Sequence, residues 1–365
     1  MRSPLRTTQA LTRNELGRAG LRASPENMNE QRATIALVGP WPRPWGGISV
    51  HILRLAGRLR AKGFRVSVYD DTGEHEDQGL SPLRGRWVNR FALTAREKII
   101  HYHSHSWGTR ARLSLMTARG KRVVFSVHSL RNPPGVFLRR KPEFRHMLRK
   151  ARFIAVNEEI AAHLSDMGAK NISIIGPYIS PPDPGEPHPE VRAFAGLHHP
   201  VITISAFSFK TWESGDLYGL FSALEALALL RKDLPKAGLV IYLSQIGEES
   251  LFGFFGDRIK ELGLEQDVLI RLDAEEPFYT CLPFAQVFLR STFTDSFGIS
   301  MAEALEMGVP VVASDAVPRP GRVVLFRAGD PADMALAIRK ALSSKPEKVS
   351  LDEFPEILDF YERIF

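Results

Sequence analysis

The chain alternates short, unbroken apolar runs with longer amphipathic stretches, and it does so in two series. Thr34-Ile35-Ala36-Leu37-Val38-Gly39-Pro40 opens the first series. An apolar run this short, ending in a turn signal, reads as a strand buried on both faces. The loop Trp41-Pro42-Arg43-Pro44-Trp45-Gly46-Gly47 is kept from helix by its prolines and glycines. An amphipathic helix is expected over 49–62, with Val50, Leu53, Ala56 and Leu59 on one face and Gly63 as its stop. A second strand follows over 65–69. This β–loop–α–β unit is the opening of a doubly wound parallel sheet. Strands at 98–102, 122–127, 153–156 and 171–175, and a helix at 158–167, continue the pattern.

Pro181-Pro182-Asp183-Pro184-Gly185-Glu186-Pro187-His188-Pro189 then interrupts it, forming neither helix nor central strand. The segment 181–195 reads as an interdomain linker. Beyond it the alternation resumes, with strands at 200–205, 238–243, 268–272, 287–289 and 310–313 and helices at 217–230, 299–307 and 331–342. At 365 residues the chain is long for one core and suits two domains. The expected architecture is α/β: two doubly wound, Rossmann-like domains, 31–180 and 196–348, facing a central cleft. Residues 349–365 are expected to form a last helix that packs back on the first domain. Ligands of such sheets sit at the carboxyl ends of the strands, so the shared cleft is the expected site.

Residues 1–30 carry Arg2, Arg6, Arg13, Arg18 and Arg22 without the apolar core of a secretory signal, and read as a disordered tail. No run of about 18 apolar residues is present to cross a membrane as a helix. The single cysteine, Cys281, excludes a disulfide framework and fits a reducing, cytoplasmic setting. Charge is uneven: up to residue 190 there are 31 Lys and Arg against 16 Asp and Glu, and beyond it 17 against 25. The basic half points to an anionic partner, or is a plain solvated surface. Arg139-Arg140-Lys141, Arg145, Arg149, Lys150 and Arg152, interleaved with Phe137, Phe144, Met147 and Leu148, form a basic amphipathic tract. Such a tract suits peripheral contact with an anionic membrane surface, or is an ordinary exposed helix. No nucleic-acid-binding motif accompanies it.

The most informative segment runs from Phe293 to Asp315. Asp295 precedes a helix and Glu303 lies within it, with Ser296, Phe297, Gly298 and Ile299 between them at the helix N-terminus. Orphan N–H donors and the helix dipole make that turn an anion site, and Gly298 permits close approach. A carboxylate on the helix flank can grip ribose hydroxyls. Taken alone, Asp295 is more simply an N-cap and Glu303 a surface residue. Gly308-Val309-Pro310-Val311-Val312-Ala313, a helix stop followed by a buried strand, sets the helix tightly against the sheet and favours the site.

With Phe297-Gly298, Glu303-Ala304 and Gly308-Val309-Pro310-Val311-Val312-Ala313-Ser314, this tract resembles the group 1 (family four) retaining glycosyltransferases of the GT-B fold. Asp315-Ala316-Val317-Pro318-Arg319-Pro320, Leu325-Phe326 and Leu217-Tyr218-Gly219-Leu220 resemble a polysaccharide-biosynthesis branch. The resemblance implies that Asp295 contacts the donor sugar or its phosphate and Glu303 the nucleotide ribose. It covers most of 34–345. Asp stands at 295 where the family usually has Glu. The family's diphosphate-gripping Arg and Lys fall on Phe209 and Ser214, leaving Lys210 as the nearest cation. Base contacts are expected near Leu272 and Asp273.

In the first domain, Gly46-Gly47 matches the family's glycine loop beside the donor phosphate and acceptor. His128, at the end of a strand, resembles a histidine near the transferred sugar. His101, His103 and His105 alternate and would share one face of a strand; three imidazoles can bind zinc, but no carboxylate or cysteine completes a site and no motif requires a metal or other cofactor. The reading is therefore retaining transfer from a nucleotide-diphosphate sugar to a hydroxyl of a glycan or lipid-linked acceptor. His128, Asp295 and Glu303 are the catalytic candidates. The donor candidates are Gly46, Gly47, Lys210, Ser296, Phe297, Gly298, Ile299 and Glu303. A nucleotide-sugar epimerase on the same fold and a non-catalytic sugar-nucleotide-binding protein are the alternatives.

Overall fold

The computed structural model describes residues 34–72, 80–82, 96–130, 133–182, 185–213, 215–319, 322–345 and 347–365. The expected tail at 1–30 and Ser214 lie outside them. The first lobe contains β1 (Thr34–Gly39), α1 (Gly47–Ala61), β2 (Arg65–Asp70), β3 (Leu80–Pro82), β4 (Ile99–Tyr102), α2 (Trp107–Ser114), β5 (Arg122–Val127), α3 (Val136–Arg139), α4 (Pro142–Lys150), β6 (Arg152–Ala155), α5 (Glu158–Asp166) and β7 (Ile172–Ile174). The second contains α6 (Pro189–Leu197), β8 (Val201–Ala206), β9 (Thr211–Trp212), β10 (Gly215–Asp216), α7 (Leu220–Leu230), β11 (Gly238–Leu243), α8 (Glu249–Glu261), β12 (Val268–Leu272), β13 (Val287–Arg290), α9 (Ile299–Met307), β14 (Val311–Ser314), β15 (Val324–Phe326) and α10 (Pro331–Leu342). A final helix, α11 (Phe354–Ile364), returns to the first lobe.

One sheet has the order β3-β2-β1-β4-β5-β6-β7 and the other β12-β11-β8-β13-β14-β15. All pairings within both are parallel. Parallel strands need both faces covered, and the strand composition provides it. In β1, Ile35 and Leu37 enter one core while Ala36 and Val38 enter the other. In β11, Leu239, Ile241 and Leu243 face one side, and Val240 and Tyr242 the other. Strand order reverses beside β1 and β4 in the first sheet and beside β8 and β13 in the second. The crevices at those switch points are where this topology places ligands.

Three expectations change. The helix after β1 is present, but Val50 and Leu53 are only half-buried and line a cavity; Ile52, Leu55, Ala56 and Leu59 form the face packed on the sheet. The stripe read from sequence was rotated because α1 also presents apolar side chains to the cavity. Within the segment 181–195, Pro189 starts α6 at its first turn, where a missing N–H is harmless. Val191 and Phe194 then pack into the second lobe. Finally, α8 occupies 249–261, where no helix was expected; Gly253 and Gly256 weaken it, and Phe255 and Ile259 anchor it.

Helix α11 docks Phe354, Ile357, Phe360, Tyr361 and Ile364 against Ile35, Leu37, Leu55 and Ile99. At roughly 1.5–3 kcal/mol per fully buried large apolar side chain, this contact is a substantial part of the first lobe's stability. The Tyr361 hydroxyl and His101 Nδ1 are hydrogen-bonded at 2.6 Å, tying the helix to β4.

Candidate active site

A cavity of about 500 Å³ lies between the lobes. Gly46, Gly47 and Arg54 line it from the first lobe, and Arg290, Ile299 and Glu303 from the second. The elements that carry them are β1–α1 on one side and β13–α9 on the other, the two switch points.

The glycine loop is pinned across the cleft. Trp45 Nε1 donates to the Ala274 carbonyl at 2.9 Å, and Ser244 Oγ donates to the Trp45 carbonyl at 2.5 Å. Arg43 pairs with Asp273 at 3.2 Å, so Asp273, expected near the base, is held by the opposite lobe. Gly46 N–H donates to Ser49 Oγ at 2.9 Å, half of a capping box that starts α1. A Cβ at Gly46 would stand 3.3 Å from the Phe207 ring, so only glycine lets the two loops meet without displacement.

The two acids of the motif occupy different surroundings. Asp295 Oδ2 accepts from Arg290 Nε at 2.8 Å and from Arg319 Nη1 at 2.9 Å. Its Oδ1 accepts the Ser296 N–H at 3.1 Å. Arg319 is fixed in turn by Thr292 Oγ1 at 3.0 Å, and Arg290 by the Ser205 carbonyl at 3.3 Å. Burial alone would raise the Asp295 pKa, but the two guanidiniums together outweigh it and hold the carboxyl at about 2. Asp295 is not the N-cap of α9. That position is Gly298, at φ 82°, a left-handed conformation that glycine adopts without strain.

Glu303, at the middle of α9, is 4% exposed and pairs with Arg54 of α1 across the cleft. Burial pushes its pKa up, the Arg54 guanidinium opposes this, and neighbouring Glu306 adds to the rise. Arg54 also donates to the Ile179 carbonyl at 3.0 Å and lies over the rings of Tyr279 and Tyr178. Glu306, one turn on, accepts from the Tyr178 hydroxyl and from Ser180 Oγ. Helix α9 is therefore tied to both the first lobe and the connection between lobes.

Of the sequence candidates, Gly46, Gly47, Ile299 and Glu303 line the cavity. Asp295 does not, because its carboxylate is turned to the arginines. Ser296, Phe297 and Gly298 lie beside the cavity wall without lining it, and the Ser296 carbonyl accepts from Asn157 Nδ2 at 3.0 Å. Lys210 is exposed at the start of the β9–β10 hairpin, outside the lining. Phe209 is a core residue packed on Phe252 and Phe255. Arg54, Arg290 and Arg319 were not singled out from sequence as site residues.

His128 is buried and faces other imidazoles. His103 Nδ1 lies 3.3 Å from His128 Nε2, and the rings of His51, His103 and His128 have centroids 5.2–5.6 Å apart. One nitrogen from each lies within 4.8 Å of the others, so these three, from α1 and from the residues directly after β4 and β5, could hold a metal ion. The trio read from alternation is not the cluster: β4 ends at Tyr102, and His105 is exposed beyond it. Burial lowers the pKa of all three clustered histidines, His51 to about 4, so they are neutral at pH 7.

Two doubly wound lobes with a cavity at both switch points have the architecture of the GT-B fold. Two family models match, Glycosyltransferase Family 4 over residues 45–181 and Glycosyl transferases group 1 over residues 216–354. The chain belongs to the group 1 glycosyltransferases. A glycosyltransferase from Rickettsia africae superposes with a TM-score of 0.69 at 16% identity, over 92% of this chain and 99% of that one. Anabaena HepE, in complex with UDP-glucose, superposes at 0.64 and 16%, over 86% and 90%. A putative UDP-N-acetylglucosamine 2-epimerase from Listeria monocytogenes gives 0.61 and 13%, over 91% and 97%. No curated protein matches the chain by sequence.

Proposed function

We propose that the protein is a retaining glycosyltransferase that moves a sugar from a nucleotide-diphosphate sugar to a hydroxyl of a glycan or glycolipid, in the synthesis of a bacterial surface polysaccharide. The observation that carries the reading is Glu303: a carboxylate in the cavity wall, held by Arg54 through one oxygen and free to accept ribose hydroxyls through the other. Gly46 and Gly47 form the opposite wall at the N-terminus of α1, where a diphosphate and acceptor would meet. In the transfer, the acceptor oxygen bonds to the sugar's C1 as the bond from C1 to the phosphate oxygen breaks. The acceptor's proton passes to the departing diphosphate on the same face. Catalysis is then positioning and charge stabilisation, with no metal required.

Anabaena HepE, which shares the fold, binds UDP-glucose. Among the described residues no helix is long and apolar enough to cross a membrane. Val136 and Phe137 are exposed beside Arg139, Arg140 and Lys141, a surface suited to the cytoplasmic, anionic face of a membrane that carries a lipid-linked acceptor.

Calorimetry against uridine, guanosine and adenosine diphosphate sugars tests the donor reading. Wild type should bind one series. Glu303→Ala should weaken it by roughly tenfold to a hundredfold, the loss of charge-assisted hydrogen bonds, with Glu303→Gln as the fold control. No binding by wild type sinks the reading. Product anomeric configuration by NMR tests retention. The fold likeness to the Listeria protein favours the epimerase as the second reading; turnover without any acceptor would establish it.

A further inference from the structure

Three cations line the cavity: Arg54, Arg58 and Arg290. Arg54 is neutralised by Glu303, and Arg58 by Asp352 at 3.0 Å. Arg290 differs. It shares Asp295 with Arg319, and Asp295 is the one carboxylate within 4 Å of either guanidinium among the described residues. Two formal positive charges therefore meet one negative charge. The three side chains are only 13%, 2% and 9% exposed for Arg290, Arg319 and Asp295. An uncompensated charge in such a place is expensive unless something completes it. Arg319 points into protein, bonded to Thr292 and Ser314; Arg290 is the member that reaches the cavity.

The surroundings add to the same sign. Helix α9 starts beside Arg290 with no acidic residue in its first turn and no side-chain cap, so the positive end of its dipole adds to the guanidinium. A Cβ added at Gly298 would stand 3.0 Å from Asp295 Oδ2 and 3.7 Å from Arg290 Nε, so this turn abuts the ion pair itself. The family's usual cationic positions hold Phe209, which is in the core, and Lys210 nearby is outside the lining.

We infer that Arg290 binds the donor diphosphate in place of the family's missing cations, and that Arg319 leaves it free to do so by neutralising Asp295. The ligand class is a nucleoside diphosphate, with the guanidinium fork on its phosphate oxygens. Arg319 is a positioning residue that does not touch the ligand. The assignment rests on the reading that the cavity holds a nucleotide-diphosphate sugar.

The test is calorimetry of the full chain with UDP, GDP, ADP, the matching nucleosides, and inorganic pyrophosphate. Arg290→Gln should weaken the diphosphate and pyrophosphate by roughly tenfold to a hundredfold and leave the nucleoside unchanged. Arg290→Lys should recover part of the loss. Arg319→Gln should weaken the diphosphate although it lies outside the lining, because Asp295 then neutralises Arg290 alone. Circular dichroism confirms that each variant folds. Unchanged diphosphate binding by Arg290→Gln overturns the inference and leaves the donor reading standing. Pyrophosphate binding lost in Arg290→Gln, with no nucleotide bound by wild type, upholds the anion site and overturns the donor reading. Binding of neither probe by wild type overturns both.

Discussion

Asp295 and Glu303 belong to one loop-and-helix segment, yet their charges are balanced in opposite ways. Asp295 has two arginines, both from its own lobe, and its pKa falls to about 2. Glu303 has one, from the opposite lobe, and its pKa is raised because burial prevails. The first acid is over-compensated and turned away from the cavity. The second is under-compensated and lines it. Two carboxylates in one motif thus do different work: Asp295 holds two guanidiniums in place, while Glu303 lines the cavity and links the lobes.

The largest effect is expected from breaking the cross-cleft pair. Arg54→Met leaves Glu303 buried without a counter-charge, a change that costs about 3–5 kcal/mol in comparable pairs. A carboxyl whose folded pKa is raised favours the fold below its unfolded pKa, and that contribution is lost as pH rises through the folded value. Removing Arg54 raises the folded value further. Urea denaturation should therefore show the full loss at pH 8 and a smaller one at pH 5. Arg54→Met/Glu303→Leu should recover most of the stability while abolishing nucleotide binding. A penalty that does not change between the two pH values would mean that Glu303 is not the group left uncompensated.

Asp295 should titrate in the other direction. Its folded pKa is depressed, so its contribution is present above the unfolded value of about 3.9 and is lost as pH falls toward about 2. A shift of this size corresponds to about 2–3 kcal/mol. In Asp295→Asn that contribution is absent throughout. The stability gap between wild type and variant should narrow from pH 5 to pH 2, measured by acid unfolding. A constant gap would show that the arginines do not act through the Asp295 charge.

Much of this was legible in the sequence. The strands at 34–39, 122–127 and 238–243 and the helices at 299–307 and 331–342 sit where the apolar runs, Gly308 and the Asp330-Pro331 start place them. Helix α8 was not, because Gly253 and Gly256 break a periodicity that tertiary packing of Phe255 restores. The site was legible in its glycines and in Glu303, where local geometry decides. Its arginines were not: Arg54 and Glu303 are 249 residues apart, and Arg319 and Asp295 are 24 apart. A pairing over such separations leaves no local pattern. The available signals were an arginine closing the buried strand Val287–Arg290 and one on the packed face of α1.

The smallest effect is expected from removing metal ions. A divalent ion that assists a diphosphate is commonly held by carboxylates, and here both acids of the motif are engaged by arginines. Arg290 and the start of α9 put positive charge at the cavity wall. The clustered imidazoles of His51, His103 and His128 could take up an ion, but none of them lines the cavity, and His51 Nδ1 is already bonded to the Pro177 carbonyl at 2.7 Å. Transfer measured after EDTA treatment should therefore change by less than about twofold, small beside the several-kcal/mol effects that metal catalysis supplies. If chelation abolished transfer and magnesium or manganese restored it, the arginines would be partners of an ion rather than its replacement. The contrast between an over-compensated Asp295 and an under-compensated Glu303 would then describe the protein without its ligand only.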